Sequence, residues 1–305
     1  MAINLTNHVR AEMTASMHTT LFRFSFPSDD LLPPYNTTFH DVGAAVNSPI
    51  IQIDITDLGG TSSIPYAGCQ VYPETGRMIG EGIFSPSFGR GQYKAYFCAD
   101  FRGGTIRRVG TFKGDNATTA ERWLNGLSRG WENPSGSGGP WIQFEKTPEV
   151  LARVGVSFIS PDQACENAET EIPTFDFEGT VAKVGDAWRE TMSAIEVDVT
   201  GVDPELLTVF WSGLYRSMLS PQNYTGENPL WNSTEPYYDS FYCIWDSFRA
   251  QHPLLTLVDP DAQTEMIRAL LDIYRNSGKL PDCRMSFSKG FSQVRPPKSP
   301  CAQAY

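Results

Sequence analysis

No stretch of this 305-residue chain approaches the ~18 consecutive apolar residues that a membrane span needs. Positive charge is scarce. Lys and Arg total 24 against 35 Asp and Glu, a formal net charge of −11, and the longest basic run is Arg107-Arg108. That balance argues against nucleic acid and anionic membrane surfaces as partners, because tracking either takes clustered Lys and Arg. The six cysteines show no CxxC or Cys/His spacing, which argues against a zinc site. Met1-Ala2-Ile3-Asn4 is not followed by the basic start and apolar core of a signal peptide. No internal repeat is visible.

What is present suffices for cores. Apolar residues make up 40% and aromatics 12% of the chain, enough for one large or two ordinary domains. The first half alternates with period two. Val9, Ala11, Met13 and Ala15 interleave with polar neighbours, and Phe22, Phe24 and Phe26 do the same after a short turn, which predicts a hairpin. Ile51, Ile53 and Ile55 continue the pattern, as do Tyr93, Ala95, Phe97, Ala99 and Phe101; Ile106–Phe112 and Trp141–Phe144 are shorter strands. Gly59-Gly60 and Gly103-Gly104 read as turns, and Asn133–Gly139 as a flexible loop. Short strands with turn signals between them predict an antiparallel sandwich. Cys69 and Cys98 fall in two strand-like runs and are candidates for a bridge, one of fifteen connectivities that six cysteines allow.

From Pro161 the period changes. Ser160 caps a short helix beginning Pro161-Asp162. Val181, Val184, Trp188, Met192 and Ile195 recur at helical spacing through Phe177–Ile195. Asp203-Pro204 supplies a cap and an N1 proline for a helix over Glu205–Ser220, with Leu206, Phe210, Gly213, Leu214 and Ser217 on one side. Asn-x-Ser/Thr sequons at Asn4, Asn36, Asn116, Asn223 and Asn232 point toward the secretory pathway without excluding the cytosol.

The densest chemistry lies in Trp245-Asp246-Ser247-Phe248-Arg249, followed by His252-Pro253-Leu254-Leu255. On a helix Trp245, Phe248 and Arg249 share a face, and Asp246 lies within reach of Arg249. Aromatic faces beside hydrogen-bonding charges suit a sugar, with its apolar C–H faces and rim of hydroxyls. The bland alternative is a core Trp and Phe with a structural Asp–Arg pair. Around this stretch stand Leu214–Leu219, Pro253–Leu257, Met266–Tyr274 and Gly278–Cys283. In the first half are Glu12-Met13-Thr14-Ala15, Phe22–Pro27 and Tyr93–Cys98. The order and spacing of these pieces resemble glycoside hydrolase family 92, the calcium-dependent exo-acting α-mannosidases, from about Val9 to Gln293.

The resemblance implies an α+β multidomain fold. Its expected parts are a partial antiparallel β-sandwich over 1–160, a helical linker over 161–203, the first helices of an incomplete (α/α)6 barrel over 204–293, and a divergent tail over 294–305. It implies hydrolysis of terminal α-mannosides of N-glycans or mannans by inversion, with calcium as cofactor and a mannose-containing glycan as partner. Asp246 would hydrogen-bond mannose hydroxyls; its other reading is a pair with Arg249. Trp245 would lie against the sugar or pack in the core, and Arg249 would orient Asp246. His252 before Pro253 would end the helix. Tyr237, Tyr238 and Tyr242 would line a pocket mouth or pack in a core, and Asp282 and Arg284 would sit at the barrel rim.

Inversion needs two carboxyl groups about 6.5–9.5 Å apart, and calcium takes about six to eight oxygen ligands. The helical half offers Glu227, Glu235, Asp239, Asp246, Asp259, Asp261, Glu265, Asp272 and Asp282, none in a pattern marking it as acid, base or ligand. The resemblance implies that the chain starts inside the family's β domain and stops before the catalytic pair, which in the family lies well C-terminal of the Trp245–Arg249 stretch. Val294–Pro300, with three prolines, replaces a helix there. Such a chain would be marginally folded and inactive. The alternative is a noncatalytic carbohydrate-binding sandwich protein.

Overall fold

A computed structural model describes residues 1–27, 48–56, 64–86, 91–129, 137–288 and 290; the side chains of residues 64, 65, 128, 129 and 242 are also left out. The sequon at Asn36, the turn at Gly59-Gly60, residues 133–136 of the glycine-rich loop, Cys301 and the tail from Val294 lie outside the described residues. Two compact units partition the chain: Met1–Phe84 with Lys94–Val184, and Ser85–Tyr93 with Gly185–Tyr305.

Alternation builds the first unit. The strands are β1 (Ala2–Asn4), β2 (Arg10–Ala15), β3 (Thr19–Ser25), β4 (Ile50–Gln52), β5 (Ile64–Val71) and β6 (Met78–Phe84). They continue with β7 (Tyr93–Arg102), β8 (Ile106–Lys113), β9 (Asn116–Thr118), β10 (Trp123–Arg129), β11 (Gly138–Phe144) and β12 (Glu149–Ser157). The predicted hairpin forms, β2 pairing antiparallel with β3 from Arg10↔Ser25 to Ala15↔Thr20. One sheet runs β1-β2-β3-β12-β7-β6-β5-β10 and the other β4-β11-β8-β9. Val71, Met78, Ala99 and Val150 of the large sheet meet Val109, Ile142 and Phe144 of the small one in a buried cluster. The unit is an antiparallel β-sandwich.

Two expectations need correction here. Gly138 and Gly139 are not loop residues but open β11. A side chain at Gly139 would place its Cβ 1.8 Å from the Ile53 carbonyl oxygen, so glycine lets the backbones of neighbouring strands approach. Cys69 and Cys98 are not bridged. They lie on β5 and β7, and β6 runs between those strands. Two strand spacings are about 9.5 Å, beyond the Cα separation a disulfide tolerates. Cys98 instead bonds Cys165, and Cys69 is buried and free, with burial pushing its thiol up to about 12.

Helix α1 (Pro161–Glu171) covers the large sheet. Ser160 caps it as expected, its hydroxyl accepting from the Gln163 N–H at 3.0 Å. Gly155 of β12 lets the helix close in, since a Cβ there would stand 2.1 Å from the Ala164 carbonyl oxygen. At the far end the Glu171 carboxylate accepts from the Ser16 hydroxyl and from the His18 N–H at 2.8 Å, with His18 Nδ1 2.6 Å away. Burial alone would raise the Glu171 pKa. The hydrogen bonds from the His18 ring, the Ser16 hydroxyl and the His18 N–H outweigh it and bring the value down from 4.5 to about 2.

The sign follows from linkage. A carboxylate with a depressed folded pKa stabilises the fold fully above pH 4.5 and loses that contribution as pH falls toward 2. We expect unfolding free energy to fall by up to about 3 kcal/mol through this window, and Glu171→Gln to flatten the fall. Denaturant titrations across pH would check it; an unchanged acid limb in the variant would remove Glu171 from the account.

In the second unit, helix α2 (Phe177–Met192) ends and α3 (Pro204–Ser217) follows. Asp203 caps α3 as expected, accepting from the Glu205 N–H at 2.9 Å. Of the apolar stripe along α3 only Leu214 is buried; Leu206, Val209 and Phe210 are exposed. Short strand pairs join β13 (Gln222–Asn223) to β14 (Tyr238–Asp239) and β15 (Tyr242–Cys243) to β16 (Cys283–Arg284). Helices α4 (Ile244–Ser247), α5 (Gln251–Val258) and α6 (Pro260–Ser277) complete the unit. Asp259 caps α6, accepting from the Ala262 N–H at 3.2 Å, and Gly278 ends it at φ 77°.

Candidate functional site

Trp245 and Asp246 sit on a single helical turn, not on the continuous packed helix their spacing suggested. The reason is Pro253. In the interior of a helix its ring would strike the carbonyl of residue 249 and its missing N–H would leave a gap; in a first turn neither matters. The chain breaks at Ala250 and restarts as α5 with Pro253 in its opening turn. His252-Pro253 therefore begins a helix and does not end one. His252 Nδ1 lies 3.0 Å from the Gln263 side-chain oxygen, a contact that ties α5 to α6.

On the short turn Trp245 is half-buried and Asp246, Phe248 and Arg249 are exposed. Arg249 does not pair with Asp246. Its Nε donates to the Trp245 carbonyl at 3.2 Å and its guanidinium lies 5.9 Å from the Phe248 ring centroid. The Asp246 carboxylate makes no hydrogen bond or ion pair among the described residues. The turn is anchored from behind by the Cys243–Cys283 disulfide and by the Ile244 N–H donating to the Asp282 carbonyl at 2.9 Å.

The other acids of this unit are mostly engaged. Glu235 pairs with Arg268 at 2.8 Å, Glu265 accepts from the Tyr238 hydroxyl at 2.9 Å, and Asp272 accepts from the Trp231 ring N–H at 2.8 Å. Asp259 is the α6 cap. Asp282 is half-buried, and burial raises its carboxyl above the usual range despite backbone N–H donors. Among the described residues, no group of three or more His, Cys, Asp or Glu stands together where it could hold a metal ion.

What the sequence did not reveal is a buried polar knot beside this turn. Asp239 is fully buried and pairs with Arg284 Nε at 2.6 Å, Arg284 itself being 4% exposed. The Tyr237 hydroxyl donates to Asp239 at 3.1 Å and accepts from Arg284 Nη2 at 2.9 Å. Backbone N–H groups of Ser240 and Phe287 complete the shell at 2.7 and 3.1 Å. Phe287 stacks on Tyr237 with centroids 6.0 Å apart and rings 7° from parallel. Tyr237 and Tyr238 are thus core residues, and Arg284 is a buried partner where a rim position was expected. The signal was weak because Asp239 and Arg284 stand far apart in sequence and meet only through the β15–β16 pairing.

Comparison with known proteins places this geometry. Residues 2–157 match the glycosyl hydrolase family 92 N-terminal domain and residues 163–301 its catalytic domain; the second match runs past Gln293, where the sequence reading loses the resemblance. A protein of Arthroderma benhamiae described as an uncharacterized secreted glycosidase is 38% identical over 96% of this chain, which spans 34% of that relative. Two solved structures from Bacteroides thetaiotaomicron share the fold. One is an inverting mannosidase of the family, TM-score 0.72 at 21% identity, with 92% of this chain and 35% of that one covered. The other is a family α-mannosidase solved with mannoimidazole, TM-score 0.75 at 19% identity, with 95% and 36% covered. The chain spans about a third of the length of each of these relatives. Two domain matches covering nearly its whole length, together with the sandwich and the helices that follow, assign this chain to glycosyl hydrolase family 92.

Proposed function

We propose that the chain serves the hydrolysis of terminal α-mannosides of N-glycans or mannans with inversion, and that its own contribution is to hold the terminal mannose. The observation that carries this is the Asp246 carboxylate, exposed and without a partner among the described residues, beside half-buried Trp245. An ionised carboxylate is acceptor-only and suits adjacent sugar hydroxyls, while the indole offers an apolar face. Arg249 acts on the backbone of Trp245 and so positions the turn rather than the acid.

Residues 161–203 then serve as linker and 204–293 as the opening of the helical barrel, whose apolar side matches the exposed Leu206 and Val209. The acids available among the described residues are occupied structurally or stand singly. On this reading the 305-residue chain binds without turnover, and the calcium that the family uses takes its ligands from outside the described residues. Two disulfides, together with a 38% identical relative described as secreted, support an oxidising, secretory location.

Titration of the chain with methyl α-mannoside tests the reading. Charged hydrogen bonds are worth about 1.5–3 kcal/mol, so Asp246→Ala is expected to weaken binding about tenfold to a hundredfold, with no mannose released by either form. Release of mannose by the unaltered chain would overturn the binding-only role. Affinity that survives the substitution would favour a sugar site on the sandwich instead.

A further inference from the structure

The sandwich carries a second feature that the mannoside site does not use. A cleft of about 550 Å³ opens over β8 and the approach to β10, and Arg107, Arg108 and Arg122 all line it, with Glu74, Thr105 and Thr119. Three arginines therefore line one cleft in a chain of net charge −11. Their convergence has a backbone cause. In a regular strand Arg107 and Arg108 would point to opposite faces. Here Gln143 of β11 faces Arg108 and Phe144 faces Ile106, so Arg107 is the extra residue of a β-bulge. A bulge re-aims side chains, and both arginines reach the same cleft.

Two of the three are held in place. Arg107 Nη1 donates to the Ser48 hydroxyl at 3.1 Å, and Arg122 Nη1 donates to the Val109 carbonyl. Arg108 makes no hydrogen bond or ion pair among the described residues although it is half-buried. A guanidinium stays protonated at any physiological pH and presents a planar fork of donors. Three such charges less the Glu74 carboxylate leave a net of two positive charges among the residues that line the cleft. A phosphate monoester carries about −1.5 to −2 at pH 7 and three strong acceptor oxygens, which balances that charge, whereas one carboxylate would leave half of it unmatched.

We propose that this cleft binds a phosphate group, borne by a sugar as its monoester or present as the free inorganic ion. The proposal does not rest on the mannoside reading, since no residue is shared between the two sites. Calorimetric titration of the full chain with mannose 6-phosphate, inorganic phosphate and unmodified mannose tests it. Both phosphates are expected to bind, more weakly as salt rises. Tighter binding of the sugar phosphate would identify a phosphorylated glycan, and equal binding the free ion. Arg108→Gln should weaken phosphate binding about tenfold or more with an unchanged thermal midpoint, because Arg108 has no partner to lose among the described residues. Glu74→Gln should tighten it, a change that general damage to the fold would not produce. Absence of phosphate binding, or phosphate affinity indifferent to both substitutions, would overturn the proposal.

Discussion

Replacing Asp239 with alanine is expected to cost the second unit about 3–5 kcal/mol, the usual consequence of removing one partner from a buried ion pair. The substitution strands the Arg284 guanidinium, which is 4% exposed. Burial by itself lowers the Arg284 pKa, and the adjacent Asp239 carboxylate and Tyr237 hydroxyl more than restore it. Without Asp239 that compensation goes, together with the acceptor for the Ser240 and Phe287 N–H groups. Ser286 and Phe287 have φ values of 47° and 58°, a region that costs of order 1–3 kcal/mol for such residues unless the surroundings impose it. The Asp239 carboxylate is part of what imposes it.

Urea denaturation would measure the loss, followed by tryptophan fluorescence. Trp231 reports locally, since it packs edge-on against Tyr237 at 5.6 Å. The double replacement of Asp239 by leucine and Arg284 by methionine should recover much of the stability, as substitution of a whole buried pair often does. A loss below about 1 kcal/mol in Asp239→Ala would show that the pair is not a structural fastening. Because β16 pairs with β15 directly ahead of Trp245, Asp239→Ala should also weaken methyl α-mannoside binding without touching the sugar.

How much of this could be read from the sequence depended on whether one face of an element is wet. The hairpin of β2 and β3 lies toward one end of the large sheet, keeps its alternation and is legible. Strand β6 hides its period because two of its inward positions are glycine: a Cβ on Gly80 would stand 2.2 Å from the Phe97 ring. Its burial nevertheless alternates perfectly from Met78 to Phe84. Strand β12 is covered on both faces, by α1 and by the sandwich core, so it reads as a mixed run in which even Arg153 is buried. Arg153 Nη1 donates to the Ile172 carbonyl and its Nη2 to Asp100, each at 2.7 Å. The caps Ser160 and Asp203 were legible because capping is local chemistry.

The candidate site divides in the same way. Asp246 and Trp245 are neighbours, so their pairing is visible in any reading. The break in the helix after them was signalled by Pro253, whose missing N–H permits a helix to start but not to continue. The Asp239–Arg284 pair and the Cys243–Cys283 disulfide depend on how β15 and β16 pair, and the Cys98–Cys165 disulfide on where α1 lies on the large sheet, neither of which follows sequence order. Cys98 shows this well: its nearest strand-borne cysteine in the sequence lies two strands away in the sheet, while its partner comes from a helix.

Through that partner the Cys98–Cys165 link fastens α1 to the sandwich. It closes a loop with a sequence separation of 67 residues, for which chain entropy predicts a stabilisation of about 4 kcal/mol. Cys98 is fully buried on β7, so reduction would also leave a thiol in the core with no route for α1 to compensate. The helix is otherwise held by close approach at Gly155, by Ala164 and Ala168 in the interface, and by Glu171 on the Ser16–His18 turn. We expect Cys98→Ala with Cys165→Ala to lower unfolding free energy by about 2–5 kcal/mol while leaving methyl α-mannoside affinity unchanged. Removing Cys243–Cys283, which closes a separation of 40 residues directly before Trp245, should lower stability by a similar amount and also weaken the sugar. Equal loss of sugar affinity from both variants would sink the assignment of mannoside binding to the Trp245–Asp246 turn, because the disulfide that anchors that turn would then matter no more than one buried in the sandwich.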